Sequence, residues 1–238
     1  MSNFIFKGIS SSLFGILESA PMPPANDEIV TEVETAGHIS NAYYLTGRYA
    51  NREISVVLGI KDKSKLRTLY SWLTGTGQLI FSSEPDKYYK VIRIEKTPER
   101  MSVRFGKVEV RFTVEPFAYA VSPTELDLTS ASSYMKVPNA GTMFSAPEIR
   151  FVPAAEQVKV DVNGAEFIVS GLLEQAANSF TVVIDCDLEV VYYISGDQKI
   201  DITYKSKNNF PLLHTGDNYI KHNGAVSSMS VNVKERWL

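Results

Sequence analysis

The chain has little of what most binding or catalytic chemistry needs. It has one cysteine, Cys186, and three histidines among 238 residues. A single thiol excludes an intrachain disulfide framework. His38, His214 and His222 fall in loop-like sequence; His214 and His222 are close enough to be weighed as a metal pair, but neither sits in a recognised ligand spacing, and solvated side chains are the commoner case. There is no basic excess either. The formal net charge of −3 gives no footprint for neutralising duplex phosphates. No apolar run could span a bilayer. The opening MSNFIFKGISSSLFGILESAP scatters its apolar residues among Lys7, Gly8 and serines, unlike a signal peptide, so synthesis in the cytoplasm is expected.

Catalytic signatures are missing too. There is no G-x-S-x-G elbow, no G-x-x-x-x-G-K, no H-E-x-x-H and no paired C-x-x-C. Asp185-Cys186-Asp187 could suggest calcium ligands or a reactive thiol, but an acidic turn between two strands explains it more simply. The expectation is a protein that is no enzyme and holds no metal or cofactor.

What is present is β patterning. The hydrophobic share of 44% and charged share of 21% are ordinary for a globular protein, and 238 residues accommodate two domains. The chain divides at Lys107–Pro123. There Val108, Val110, Phe112 and Val114 alternate with Lys107, Glu109, Arg111, Thr113 and Glu115, as in a half-buried antiparallel strand. Pro116 is expected to end that ladder. Ser122-Pro123 opens the polar run TELDLTSASS, so 122–133 reads as a linker between domains at 1–121 and 134–238.

In the first half, Phe4 and Phe6 form a short strand ending at Gly8, and Ala20-Pro-Met-Pro-Pro24 is an extended connector. Residues 27–60 read as a long hairpin. Ile29, Val30 and Val33 lie on its outgoing arm, and Ile54, Val56, Leu58 and Ile60 on the return arm. The loop between them holds Tyr43, Tyr44 and Tyr49. Such a loop is either covered by a partner or folded on its own core, and the residues leave both open. One helix follows, capped by Ser64, with Leu66, Leu69, Tyr70 and Leu73 at helical spacing. Trp72 lies off that stripe; it covers a neighbouring edge or another subunit, or, in the plainer reading, is partly buried in its own domain. Strands at Gln78–Ser82 and Tyr88–Lys96 complete an α+β half.

The second half shows no helical period. Val158, Val160 and Val162 alternate up to Asn163-Gly164, and Phe167 and Val169 follow, which marks a type I′ hairpin. Further strands at Asn178–Ile184, Leu188–Ile194 and Lys199–Tyr204 point to a sandwich or jelly roll. So does a final strand with Met229, Val231, Val233 and Trp237 on one face.

Four groups of residues carry a family resemblance. The first is Phe4-x-Phe6-x-Gly8 with Gly15-Ile16. The second is Tyr49-x-x-Arg52-x-Ile54-x-Val56. The third is Trp72-Leu73…Gly77-Gln-Leu79 with Pro85-Asp86-x-x-Tyr89. The fourth is Asn139-x-Gly141…Ala146-Pro147-x-Ile149 with Phe210-Pro-Leu-Leu…Gly216-Asp-Asn218-x-Ile220. Their order and spacing resemble the distal tail protein (Dit) family of long-tailed bacteriophages, the ring component between tail tube and tip or baseplate.

The resemblance implies a mainly β fold with one helix. Its N-terminal α+β belt domain closes into a homohexameric ring, and a galectin-like β-sandwich lies outside. The implied partners are further copies of the chain, a tail tube protein, a tail-tip or tail-associated protein and a tape-measure protein. DNA passes through a channel without specific binding, and no membrane is involved. The implied place is the tail tip of a virion or phage-tail-like particle, assembled in the host bacterial cytoplasm. The 27–60 hairpin becomes an arm to the next subunit, and Tyr43, Tyr44, Tyr49, Arg52 and Trp72 become the candidate subunit-contact residues. A carbohydrate-binding sandwich is the alternative. Trp237 is the only tryptophan of the second half, arginines there are scarce, and no room is left for an inserted sugar-binding module. A hydrolase using scattered carboxylates ranks last.

Overall fold

The computed structural model describes residues 3–18, 27–34, 36–37, 39–60, 62–101, 106–172 and 180–238. The connector at 20–24 and His38 lie outside them. The chain forms two compact units, Met1–Val121 with Leu238, and Ser122–Trp237.

The first unit is built on the alternation at its centre. Strands β1 (Phe4–Phe6), β2 (Ile9–Ser10), β3 (Gly15–Leu17), β4 (Glu28–Val33), β5 (Ala42–Tyr49) and β6 (Arg52–Ile60) precede helix α1 (Leu66–Trp72). β7 (Gly77–Phe81), β8 (Lys87–Met101) and β9 (Gly106–Ala120) follow it. One antiparallel sheet runs in the order β2-β1-β7-β8-β9-β6-β3. Its register sets Ile54 opposite Phe112, Val56 opposite Val110 and Leu58 opposite Val108, and all six are buried. Cross-strand apolar pairs of this kind are the unit of sheet stability. Phe4 packs edge-on to Phe112 at 5.5 Å between ring centres. Leu69 and Leu73 bury the helical stripe as its spacing requires.

Three local readings are corrected. First, β9 does not stop at Pro116 but continues to Ala120. β6 pairs with it as far as Val114, while β8 steps from Tyr89 opposite Ala118 to Val91 opposite Val114. Residues 115–117 therefore bulge out of the ladder, and a bulge asks no N–H of a proline. Second, β4 returns through β5, not through 54–60. The three tyrosines sit in a strand rather than a loop, and β6 belongs to the main sheet. Third, Ser64 does not cap α1. Its N–H and Oγ both donate to Asp62 Oδ1, at 2.9 and 2.7 Å, holding that carboxyl below its usual range.

The second unit comprises β10 (Glu125–Asp127), β11 (Met135–Asn139), β12 (Glu148–Pro153), β13 (Val158–Val162), β14 (Ala165–Val169) and β15 (Thr181–Asp185). These are followed by β16 (Val190–Ser195), β17 (Gln198–Asp201), β18 (Ser206–Lys207), β19 (Gly216–His222) and β20 (Val226–Asn232). One sheet runs β10-β20-β12-β15-β16-β17 and the other β11-β19-β13-β14-β18. Ile149, Phe151, Val182, Ile184, Met229 and Val231 from the first share one core with Val137, Val158, Val160, Phe167 and Ile220 from the second. This makes a β-sandwich. Asn163 and Gly164 take φ of 55° and 90° between β13 and β14, as a type I′ turn demands.

The stretch 122–133 is not a connector in the structure. β10 pairs along β20, and Leu128 and Ala131 are fully buried in the sandwich core. The polar residues between them face outward, which is why composition alone suggested a linker. β20 ends at Asn232, so Trp237 does not continue the face shared by Met229, Val231 and Val233.

Candidate subunit-contact surface

β4 and β5 form a two-stranded sheet that joins no other strand among the described residues. Val30 lies opposite Leu45, Thr31 opposite Tyr44, Glu32 opposite Tyr43 and Val33 opposite Ala42. Directly paired residues share a face. Val30, Leu45 and Tyr43 therefore lie on one side of the ribbon, and Val33 and Tyr44 on the other. Both sides are open to solvent. Tyr43 is 69% exposed, Tyr44 68%, Leu45 63%, Val33 50% and Val30 48%. An isolated two-stranded ribbon is marginal in water, and large apolar side chains exposed on both faces make the kind of patch that monomeric proteins rarely leave open.

The base of the ribbon is held tightly. Tyr49 meets Phe117 edge-on at 5.6 Å, and Arg52 Nε donates to the carbonyl oxygen of Pro116 at 2.6 Å. Both contacts fall on the β9 bulge, which gives the Tyr49-x-x-Arg52 spacing a structural job. Arg52 is buried, and that burial lowers its pKa against the opposing pull of Tyr89 and Glu84. The Tyr89 hydroxyl donates to Glu84 Oε2 at 3.0 Å, and burial first, then Glu84, pushes its pKa up.

Trp72 packs inside its own unit. Its ring stacks on Phe14 at 4.8 Å and on Phe4 at 5.7 Å, and Nε1 donates to the Phe6 carbonyl at 3.1 Å. Of the five candidate contact residues, Tyr43 and Tyr44 stand clear of their own unit. Tyr49, Arg52 and Trp72 have partners within it.

Elsewhere the chemistry is structural. Asp185 Oδ1 accepts the backbone N–H groups of Asp187 and Leu188 and the Lys234 ammonium, while Asp187 accepts from Arg236. Cys186 is buried, which pushes its thiol pKa up and away from reactivity. His222 is buried rather than solvated. Its Nε2 donates to the carbonyls of Leu128 and Thr129, and Nδ1 accepts from Gly224 N–H. The missed signal was period two, because Asn218, Ile220 and His222 all point inward along β19. His214 uses its backbone, donating N–H to Asn218 Oδ1 at 2.9 Å. No group of three or more His, Cys, Asp or Glu that could hold a metal exists among the described residues.

The two second-half groups of the resemblance meet in space. Ser145 and Leu213 exchange backbone hydrogen bonds of 2.9 Å. Asn139, buried, donates to the carbonyls of Met143 and Leu213 and accepts from Gly141 N–H. Gly141 must be glycine, since a Cβ would collide with the Arg236 backbone.

Residues 9–114 match the family described as the phage tail protein RIFT-related domain. Within the first unit, residues 9–114 are therefore similar to a phage tail protein domain. Over its whole length the chain has the fold of SPP1 Dit (gp 19.1), a structure described as a paradigm of the hub adsorption apparatus in phages infecting Gram-positive bacteria. The TM-score is 0.77 at 15% identity, covering 100% of each chain. A chain of the phage P2 baseplate in its activated conformation with Ca is also similar, with a TM-score of 0.53, 8% identity and coverage of 99% and 98%. No curated protein matches by sequence. The resemblance to bacteriophage distal tail proteins thus stands by fold over both units, and residues 9–114 match a phage tail protein domain by sequence.

Proposed function

We propose that the chain is the structural hub of a phage tail tip, or of a phage-tail-like particle, joining the tail tube to the tip or baseplate. In this reading the first unit is a belt. Six copies close into a ring around a channel through which DNA passes without specific binding, and the second, galectin-like unit projects outward. The tube protein, a tail-tip protein and a tape-measure protein are its partners, and host-cytoplasmic synthesis precedes incorporation into the virion. The role is architectural and no catalytic step is assigned.

The observation that carries this is the β4–β5 ribbon within the residues similar to a phage tail protein domain. Among the described residues its apolar side chains have no cover, and a neighbouring copy would supply one. Negative-stain electron microscopy of the purified chain is expected to show six-fold rings with a central opening. A stable monomer by light scattering at tens of micromolar, with no ring when the tube protein is added, would overturn the proposal.

A further inference from the structure

The outer face of the six-stranded sheet carries a groove of about 530 Å3. It is lined by Glu125 and Asp127 of β10, Ser228 and Ser230 of β20, Arg150 of β12 and Thr181 of β15. Register places these side chains together. Asp127 lies opposite Ser230, which lies opposite Arg150, while Ile149 and Phe151 on either side of Arg150 enter the core. A second depression of about 300 Å3 lies along the same sheet, over Asp185, Tyr192, Lys199 and Asp201. Arg150, Val183, Tyr192 and Asp201 fall in one row across the strands, so the two depressions share one face.

Asp127 in the first groove accepts the Thr129 N–H at 2.8 Å, but several of its neighbours there are idle. Arg150 Nε donates to Glu148 Oε1 at 2.6 Å, which fixes the guanidinium and leaves its terminal nitrogens unbonded among the described residues. Among those residues the Glu125 carboxylate and the hydroxyls of Thr181, Ser228 and Ser230 also make no hydrogen bond. The outer face of the other sheet differs. There Lys136 pairs with Asp217, Lys159 with Glu166 and Lys221 with Asp161.

The groove therefore offers acceptors, a two-pronged donor and hydroxyls that do both, within a volume of ligand-site size. Vicinal hydroxyls of a sugar both donate and accept, and match such a set. Two carboxylates against one guanidinium disfavour a polyanion. Phe151, the aromatic residue of the lining, is buried in the core, so the groove presents no exposed aromatic anchor of the kind a protein–protein hot spot depends on. We propose that this groove binds a neutral saccharide, with Arg150 as the central donor and Glu125 and Asp127 as acceptors. A longer chain would extend toward Tyr192.

Saturation-transfer NMR on the full chain tests it. The probes are glucose, galactose, N-acetylglucosamine, lactose and cellobiose, each at about 20 mM, suited to millimolar affinity. At least one is expected to receive saturation. Arg150→Ala should cut that signal at least about fivefold, and Lys136→Ala on the opposite face should leave it unchanged. The Ser228→Ala/Ser230→Ala chain removes only hydroxyls and serves if the arginine variant misfolds. The proposal is overturned if no probe responds, or if the signal survives both groove variants. Tighter binding of glucose 6-phosphate than of glucose would also overturn it. So would an oligolysine peptide that shifts the groove resonances where no sugar does.

Discussion

Replacing Tyr43 and Tyr44 by serine, singly and together, tests the ribbon as an inter-subunit arm. A tyrosine side chain buries about 150–250 Å2 when covered. At 69% and 68% exposure, each leaves about 130 Å2 for a neighbour to cover, worth about 3 kcal/mol at about 25 cal/mol per Å2. That lies within the range of an interface hot spot, and losing it weakens association by about two orders of magnitude. The two rings lie on opposite faces of the ribbon, so the single variants carry more information than the double. An arm lying flat on its neighbour responds to one substitution only, whereas an arm gripped between two surfaces responds to both. Sedimentation velocity across a concentration series reads the association, and thermal unfolding reads the fold. The melting temperature should move by less than about 2 °C, because neither ring is packed in its own unit. A double variant that forms rings as tightly as the parent chain would refute the arm. One that unfolds would show the tyrosines to be core residues.

Three further outcomes are expected. A chain beginning at Ser122 should unfold cooperatively, whereas one beginning at Ser132 loses β10, Leu128 and Ala131 and should be less stable by about 2–5 kcal/mol in urea titration. Trp72→Ala should cost the first unit about 3–5 kcal/mol, from the stacks on Phe4 and Phe14, and leave the second unit's transition where it was. Asp62, Asp127 and Asp201 each accept from a hydroxyl and an N–H two residues on, which lowers their pKa. Their contribution is present above the unfolded carboxylate value, about pH 3.9, and lost as pH falls through the lower folded values. Changing all three to asparagine should flatten stability against pH below about pH 4, measured by thermal melts.

Where one face of a strand is buried and the other wet, the sequence could be read directly. β6, β9 and the β13–β14 hairpin show this, because period two leaves Ile54, Val56 and Leu58 or Val158, Val160 and Val162 no other arrangement. The ribbon escaped because both of its faces are exposed. Tyr43, Tyr44 and Leu45 run consecutively with no burial rhythm, and nothing local says that Val30 pairs with Leu45 while Ile54 pairs with Phe112. Leu126 and Leu128 did alternate within TELDLTSASS, but the polar residues around them dominated the composition. The groove was invisible for a different reason. Its side chains come from β10, β12, β15 and β20, and only the sheet order brings them side by side.

The β9 bulge has a consequence for the geometry of any closed assembly. Because Tyr49 and Arg52 both fasten on residues 116 and 117, the direction in which the ribbon leaves its sheet is set by those few irregular residues, not by the ribbon's own sequence. In a ring, the angle between neighbouring copies determines how many fit. A one-residue deletion within 115–117 would re-aim the ribbon without touching a contact residue, and electron micrographs would register it as a changed ring diameter or as open arcs. The copy number of the assembly would then be written in the one place where the central strand departs from regularity.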